Sequence, residues 1–168
     1  TAGVGAAEWL GRVPETELDR VLAELGEERF HRRVARAIVA ARQQAPIATT
    51  AKLAEIVAAA VPTREPGKHP ATRTFQAIRI AVNDELGELE AVLPQSLTAL
   101  GANGRLVVIS FHSLEDRVVK RFMREQARGR ELPLDLPVMG RPEGMTLRLI
   151  GRTVQPSAAE VAANPRAR

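Results

Sequence analysis

The chain has 168 residues, 45% of them hydrophobic and only 3% aromatic, enough for a packed core built from Ala, Val, Leu and Ile. It contains no cysteine, which excludes disulfide staples, thiolate zinc sites and a cysteine nucleophile and fits a reducing, cytoplasmic compartment. The net charge is only +4; there is no signal-peptide pattern and no apolar run of about 18 residues, so no segment is expected to span or cross a membrane.

In chain order, the first sixty residues read as helices. The segment Glu15 to Leu25 closes with Gly26 at a C′ position. Glu27 to Gln44 follows, with Phe30, Val34, Ala37, Ile38 and Ala41 on one face. Pro46 breaks it, and Thr49 or Thr50 caps a short helix carrying Leu53, Ile56 and Val57. Pro62 to Lys68 is a linker by composition. A long helix is then expected from Pro70 to about Leu93, bent near Gly87, with Phe75, Ile78, Val82, Leu86 and Leu89 as a buried stripe.

The pattern changes after residue 100. Gly101 to Gly104 is a turn, and Leu106-Val-Val-Ile109 is a short apolar run that reads as a central parallel strand. Ser113 opens the next helix, with Asp116 at the capping-box position. A loop rich in Pro and Gly spans roughly 129 to 144, Met145 to Ile150 alternates like a second strand, and Pro156 to Glu160 starts a last short helix. The expected class is therefore α/β, mostly helical with about two strands. Two strands do not make a stable sheet, so the sequence reads as part of a larger α/β fold. A start without Met fits a processed or truncated chain.

Charge is concentrated between residues 117 and 130, where Arg117, Lys120, Arg121, Arg124, Arg128 and Arg130 face only Glu125. A polyanion is the natural partner for such a cluster. Arg117, Lys120, Arg121, Arg124 and Arg128 share one side of their helix, opposite Leu114, Val118, Val119, Phe122 and Met123. They read either as a solvated face or as contacts to RNA phosphate. Arg29, Arg32, Arg33 and Arg36 similarly oppose Phe30 and Val34.

In open α/β sheets, ligands sit beyond the carboxyl ends of the strands. Ser110, Phe111, His112 and Ser113 occupy that edge. One reading makes Ser113 a cap, Phe111 packing and His112 a hydrogen-bonded loop residue. The other turns Ser110 or His112 towards a reacting base. Gln76, Arg79 and Asn83 lie in one arc of the long helix, near Arg73. Amides suit a base edge and Arg suits phosphate, but a solvated polar face has the same pattern. No Walker motif, nucleophile elbow, strand–glycine loop–helix unit or Asp/Asn/Ser-Pro-Pro-aromatic motif is present, and His31, His69 and His112 are too scattered to suggest a metal.

The stretches His69-Pro-Ala-Thr-Arg-Thr-Phe-Gln-Ala-Ile-Arg-Ile-Ala-Val-Asn-Asp-Glu-Leu86 and Ser110-Phe-His-Ser-Leu-Glu-Asp-Arg-Val-Val-Lys-Arg-Phe122 resemble signature stretches of the bacterial RsmH (MraW) family. Gly26 to Phe30, Pro156 to Glu160 and Asn164 to Arg168 are similar to that family as well. The resemblance implies methylation of a cytidine N4 in small-subunit (16S) ribosomal RNA with S-adenosyl-L-methionine as donor. It also implies a Rossmann-like methyltransferase domain carrying an inserted helical domain. On that template residues 1–66 correspond to the RNA-recognition insert and residues 67–168 to the last part of the catalytic domain, and the donor site precedes Thr1. Such a chain alone is expected to be inactive. Ser110 and His112 become the catalytic candidates, and Arg73, Gln76, Arg79, Asn83, Phe111, Arg117, Lys120, Arg121 and Arg124 the candidates for substrate and RNA. Two other readings stay open, a non-catalytic RNA-binding module and a helical protein-interaction module.

Overall fold

The computed structural model describes residues 3–63, 67–128 and 144–166. Its elements are α1 (Ala6–Arg12), α2 (Glu15–Glu24), α3 (His31–Gln44), α4 (Thr50–Ala60), α5 (Thr72–Asn83), α6 (Glu85–Ala99), α7 (Ser113–Arg128) and α8 (Ala158–Ala163). Residue contacts separate two compact units, Thr1–Val118 and Val119–Arg168.

In the first unit α2 packs on α3, α3 on α4, and α5 on both α1 and α2. The amphipathic periods explain why. Leu18 and Leu22 of α2, Val34 and Ile38 of α3, and Val57 of α4 are fully buried, and Ala71, Ala77 and Ile78 at α5 join the same core. Each fully buried Leu or Ile contributes about 2 kcal/mol of apolar burial. One core therefore runs through residues 10 to 78, on both sides of the linker. Residues 64–66 of that linker, and residues 129–143 of the expected Pro- and Gly-rich loop, lie outside the described residues.

Several expected elements differ. No described residue belongs to a strand. Along the first expected strand, Leu106, Val108 and Ser110 are half-buried, whereas Val107, Ile109 and Phe111 are about four-fifths exposed. The two-residue alternation of a strand is present, but a ladder needs a neighbouring backbone to pair with, and no described residue pairs with this segment. In the second, Leu149 and Ile150 are exposed, and Thr146 is instead tied to the end of α7, its amide donating to the Gln126 carbonyl (3.1 Å) and its hydroxyl to Gln126 Oε1 (2.7 Å).

The long helix from Pro70 is two helices. Asp84 adopts a left-handed conformation (φ 50°, ψ 41°), ending α5 and starting α6. Asp tolerates that region better than most residues. The break thus falls three residues before Gly87, and α6 continues through Pro94 to Ala99. Ahead of α3, the chain turns instead of beginning a helix at Glu27, which is itself left-handed (φ 49°). Gly26 stands at its expected C′ position, yet its role is steric. A Cβ there would lie 2.7 Å from the Arg73 carbonyl, 2.8 Å from the Leu22 carbonyl and 3.1 Å from the Ala77 Cβ. The α8 start matches expectation, with a capping box between Ser157 and Glu160. Those hydrogen bonds, from the Ser157 amide and then its hydroxyl, hold the Glu160 carboxyl below its ordinary range.

Candidate functional site

The left-handed Asp84 turn sets Glu85 at the first position of α6, where the helix dipole favours a carboxylate. Arg79 grips it with two hydrogen bonds, Nε to Oε1 at 2.8 Å and Nη2 to Oε2 at 2.9 Å. Asn83 Nδ2 donates to Oε1 at 3.1 Å. Burial pushes the Glu85 carboxyl up, but the bonds from Arg79 and Asn83, with the pull of nearby His112, outweigh it and leave the group below its ordinary value. Arg79 and Asn83, expected on one arc, thus converge on a carboxylate that hydrophobic spacing and motif alone do not single out.

His112 sits between the apolar run and α7. Glu115, one residue before the expected Asp116, makes the turn here. Its Oε2 accepts the Phe111 amide (2.8 Å) and the His112 amide (3.3 Å). The Glu115 amide donates to His112 Nδ1 at 3.4 Å. With Nδ1 accepting, the proton of a neutral ring is assigned to Nε2. That atom is buried and has no hydrogen-bond partner among the described residues. Glu115 Oε1 lies 3.4 Å away, close enough for attraction if the ring is charged but outside hydrogen-bond geometry. A buried ring nitrogen left open beside carboxylates is the feature of this region that calls for a ligand.

The remaining candidates separate. Arg73 Nη1 donates to the Glu27 carbonyl (2.6 Å), and Gln76 Nε2 reaches the Leu25 carbonyl (3.4 Å). Both therefore clamp α5 to the turn between α2 and α3 instead of sharing the surface of Arg79 and Asn83. Ser110 is half-buried. The Phe111 ring is 85% exposed, so it does not pack. Arg117 meets Glu27 Oε1 at 3.3 Å, an atom that also accepts the Ser113 hydroxyl at 3.5 Å. Lys120 and Arg121 also have partners within the chain. Arg124 is exposed on α7.

Glu27 and Glu115 escape the sequence pattern along with Glu85. The carboxylate at the mouth of α7 is legible as a helix-start signal, but the pattern puts it one position late. Nothing in the sequence announces a Glu in a left-handed conformation, which non-glycine residues seldom adopt.

A family model described as the MraW methylase family matches residues 1–168. The ribosomal RNA small subunit methyltransferase H of Thiobacillus denitrificans is 57% identical over 171 residues, covering 99% of this chain and 54% of that protein. The protein of the same name from Nitrosococcus oceani is 56% identical over 169 residues, covering 100% of this chain and 54% of its own length. That of Thioalkalivibrio sulfidiphilus is 57% identical over 168 residues, with 99% and 54% covered. The chain spans about half the length of the curated relatives it matches.

Proposed function

The chain belongs to the MraW methylase family, and from that premise we propose that the full-length protein transfers a methyl group to N4 of a cytidine in small-subunit ribosomal RNA. Similar proteins named as ribosomal RNA small subunit methyltransferases support the class of reaction and substrate. S-adenosyl-L-methionine supplies the methyl group. The described residues include no strand–glycine loop–helix unit that fits this donor. Residues 1–66 act as the substrate-recognition insert and residues 67–168 as the last part of a Rossmann-like methyltransferase domain.

When bound, the donor would supply an electrophilic methyl group, and N4 would pass its proton to solvent water. The N4 lone pair is delocalised into the ring, so the amine must be held in a set orientation on an unstacked base. The open His112 Nε2 carries this reading. Its hydrogen points to an acceptor that the described residues do not provide, and the acceptor edge of cytosine supplies one. Ser110 lines the same edge, the exposed Phe111 ring offers a face for stacking, and Glu85 and Glu115 hold the surrounding charge. Arg73 and Gln76 fix the helix behind the site, Arg79 and Asn83 set Glu85, and Arg117, Lys120, Arg121 and Arg124 face the RNA backbone.

The test is single-turnover methylation by full-length His112→Ala and Ser110→Ala, beside thermal melting of each. Loss of the orienting hydrogen bond at His112 lowers the rate roughly 10- to 100-fold. Unchanged rates in both variants would remove these residues from the site.

A further inference from the structure

Among the described residues, the strongest charged surface that no ion pair absorbs lies on α3 and in the turn before it. Arg29, Arg32, Arg33 and Arg36 follow i, i+3, i+4 and i+7 spacing, and all four are exposed. Arg32, Arg33 and Arg36 occupy one face over roughly 6 Å of α3, with Arg29 in the turn before it. The opposite face, Val34, Ala35 and Ile38, is fully buried, so the arginines cannot turn inward.

The neighbouring carboxylates are occupied elsewhere. Glu28 is 5% exposed and accepts the Phe30 amide at 2.9 Å. Asp19 holds His31 Nδ1 at 2.6 Å. Glu27 takes Ser113 and Arg117. Arg29 lies over the Phe30 ring, 5.5 Å from its centroid, which orients its guanidinium without neutralising it. The first turn of α3 contains no acidic residue, and Arg32 and Arg33 stand at the helix end where the dipole opposes cations. Four like charges in this arrangement repel one another, and nothing among the described residues compensates them.

We infer that this α3 face is an RNA-docking surface, with Arg32, Arg33 and Arg36 contacting backbone phosphates of the substrate RNA. The inference rests on the proposed RNA substrate and gives that substrate a further point of attachment, on residues other than His112 and the α7 cations. Guanidinium groups suit phosphate because they present paired donors to its oxygens. Phosphate contacts position an RNA without reading its sequence, so the surface holds the substrate while the chemistry occurs elsewhere.

The test measures binding of full-length protein to a small-subunit ribosomal RNA transcript across a salt series. Combined Arg32→Ala, Arg33→Ala and Arg36→Ala is expected to flatten the dependence of log affinity on log salt by roughly two units, at about 0.7 for each single-strand phosphate that is no longer neutralised. If the alanine variant melts early, the triple Arg→Gln variant gives the same reading with longer side chains retained. A folded variant with wild-type slope and affinity overturns the surface. Wild-type methylation, followed in parallel, separates the two claims. An active wild type with an unaltered variant slope sinks only the α3 surface, whereas an inactive wild type with a flattened variant slope sinks the enzymatic reading and keeps the surface.

Discussion

Two helices of this chain carry basic faces that look alike in sequence, and the fold treats them differently. On α7, Arg117 pairs with Glu27, and Lys120 and Arg121 are engaged within the chain. Around α3, Glu28, Asp19 and Glu27 are committed to the Phe30 amide, to His31 and to Arg117 of α7. The density of positive charge in a sequence is therefore a poor measure of what a ligand meets. The number of carboxylates left to answer it is a better one, and that number depends on the tertiary structure.

The largest expected effect breaks the frame on which α3 stands. Gly26→Ala places a methyl group against two backbone carbonyls that cannot swing aside, and such overpacking costs about 3 kcal/mol. Thermal melting checks it. A variant as stable as wild type would mean that the turn between α2 and α3 yields easily, and that the α3 face is not held in place by α5.

A smaller effect sharpens the contrast between the two faces. Replacing Lys120, Arg121 and Arg124 together with Ala is expected to flatten the RNA salt dependence by roughly one unit, less than the α3 triple, because fewer of these cations are available to release counterions. Glu27→Gln should act in the opposite direction, steepening the slope by up to about 0.7 as Arg117 is released. Its stability cost stays below about 1 kcal/mol, as expected for an exposed pair. Equal flattening by the α3 and α7 triples, measured in the same salt series, would erase the distinction.

Much of the helical frame was legible in the sequence. Hydrophobic spacing marked α2, most of α3, α4, α5 and α7, and Ser157 with Glu160 marked the start of α8. The errors have specific causes. Leu106 to Ile109 carries the composition of a strand, but composition cannot supply the neighbouring backbone that a ladder needs. The stripe from Phe75 to Leu89 continued through Asp84 because apolar period is blind to a single left-handed residue. Ser110, Phe111 and His112 stand out as candidates by their place after the apolar run. Glu85, Glu115 and Glu27, which engage Arg79, His112 and Arg117, do not. A side chain's partner is set by where the turns bring it, and two of those turns depend on a non-glycine residue with positive φ.

The central claim is that the full-length protein methylates a cytidine at N4 in small-subunit ribosomal RNA. Its most direct measurement incubates that protein with S-adenosyl-L-methionine labelled in the methyl group and with small ribosomal subunits, then digests the RNA to nucleosides and identifies the labelled one by mass. The account predicts label in N4-methylcytidine. Label confined to another nucleoside, or no label in RNA at all, would contradict it.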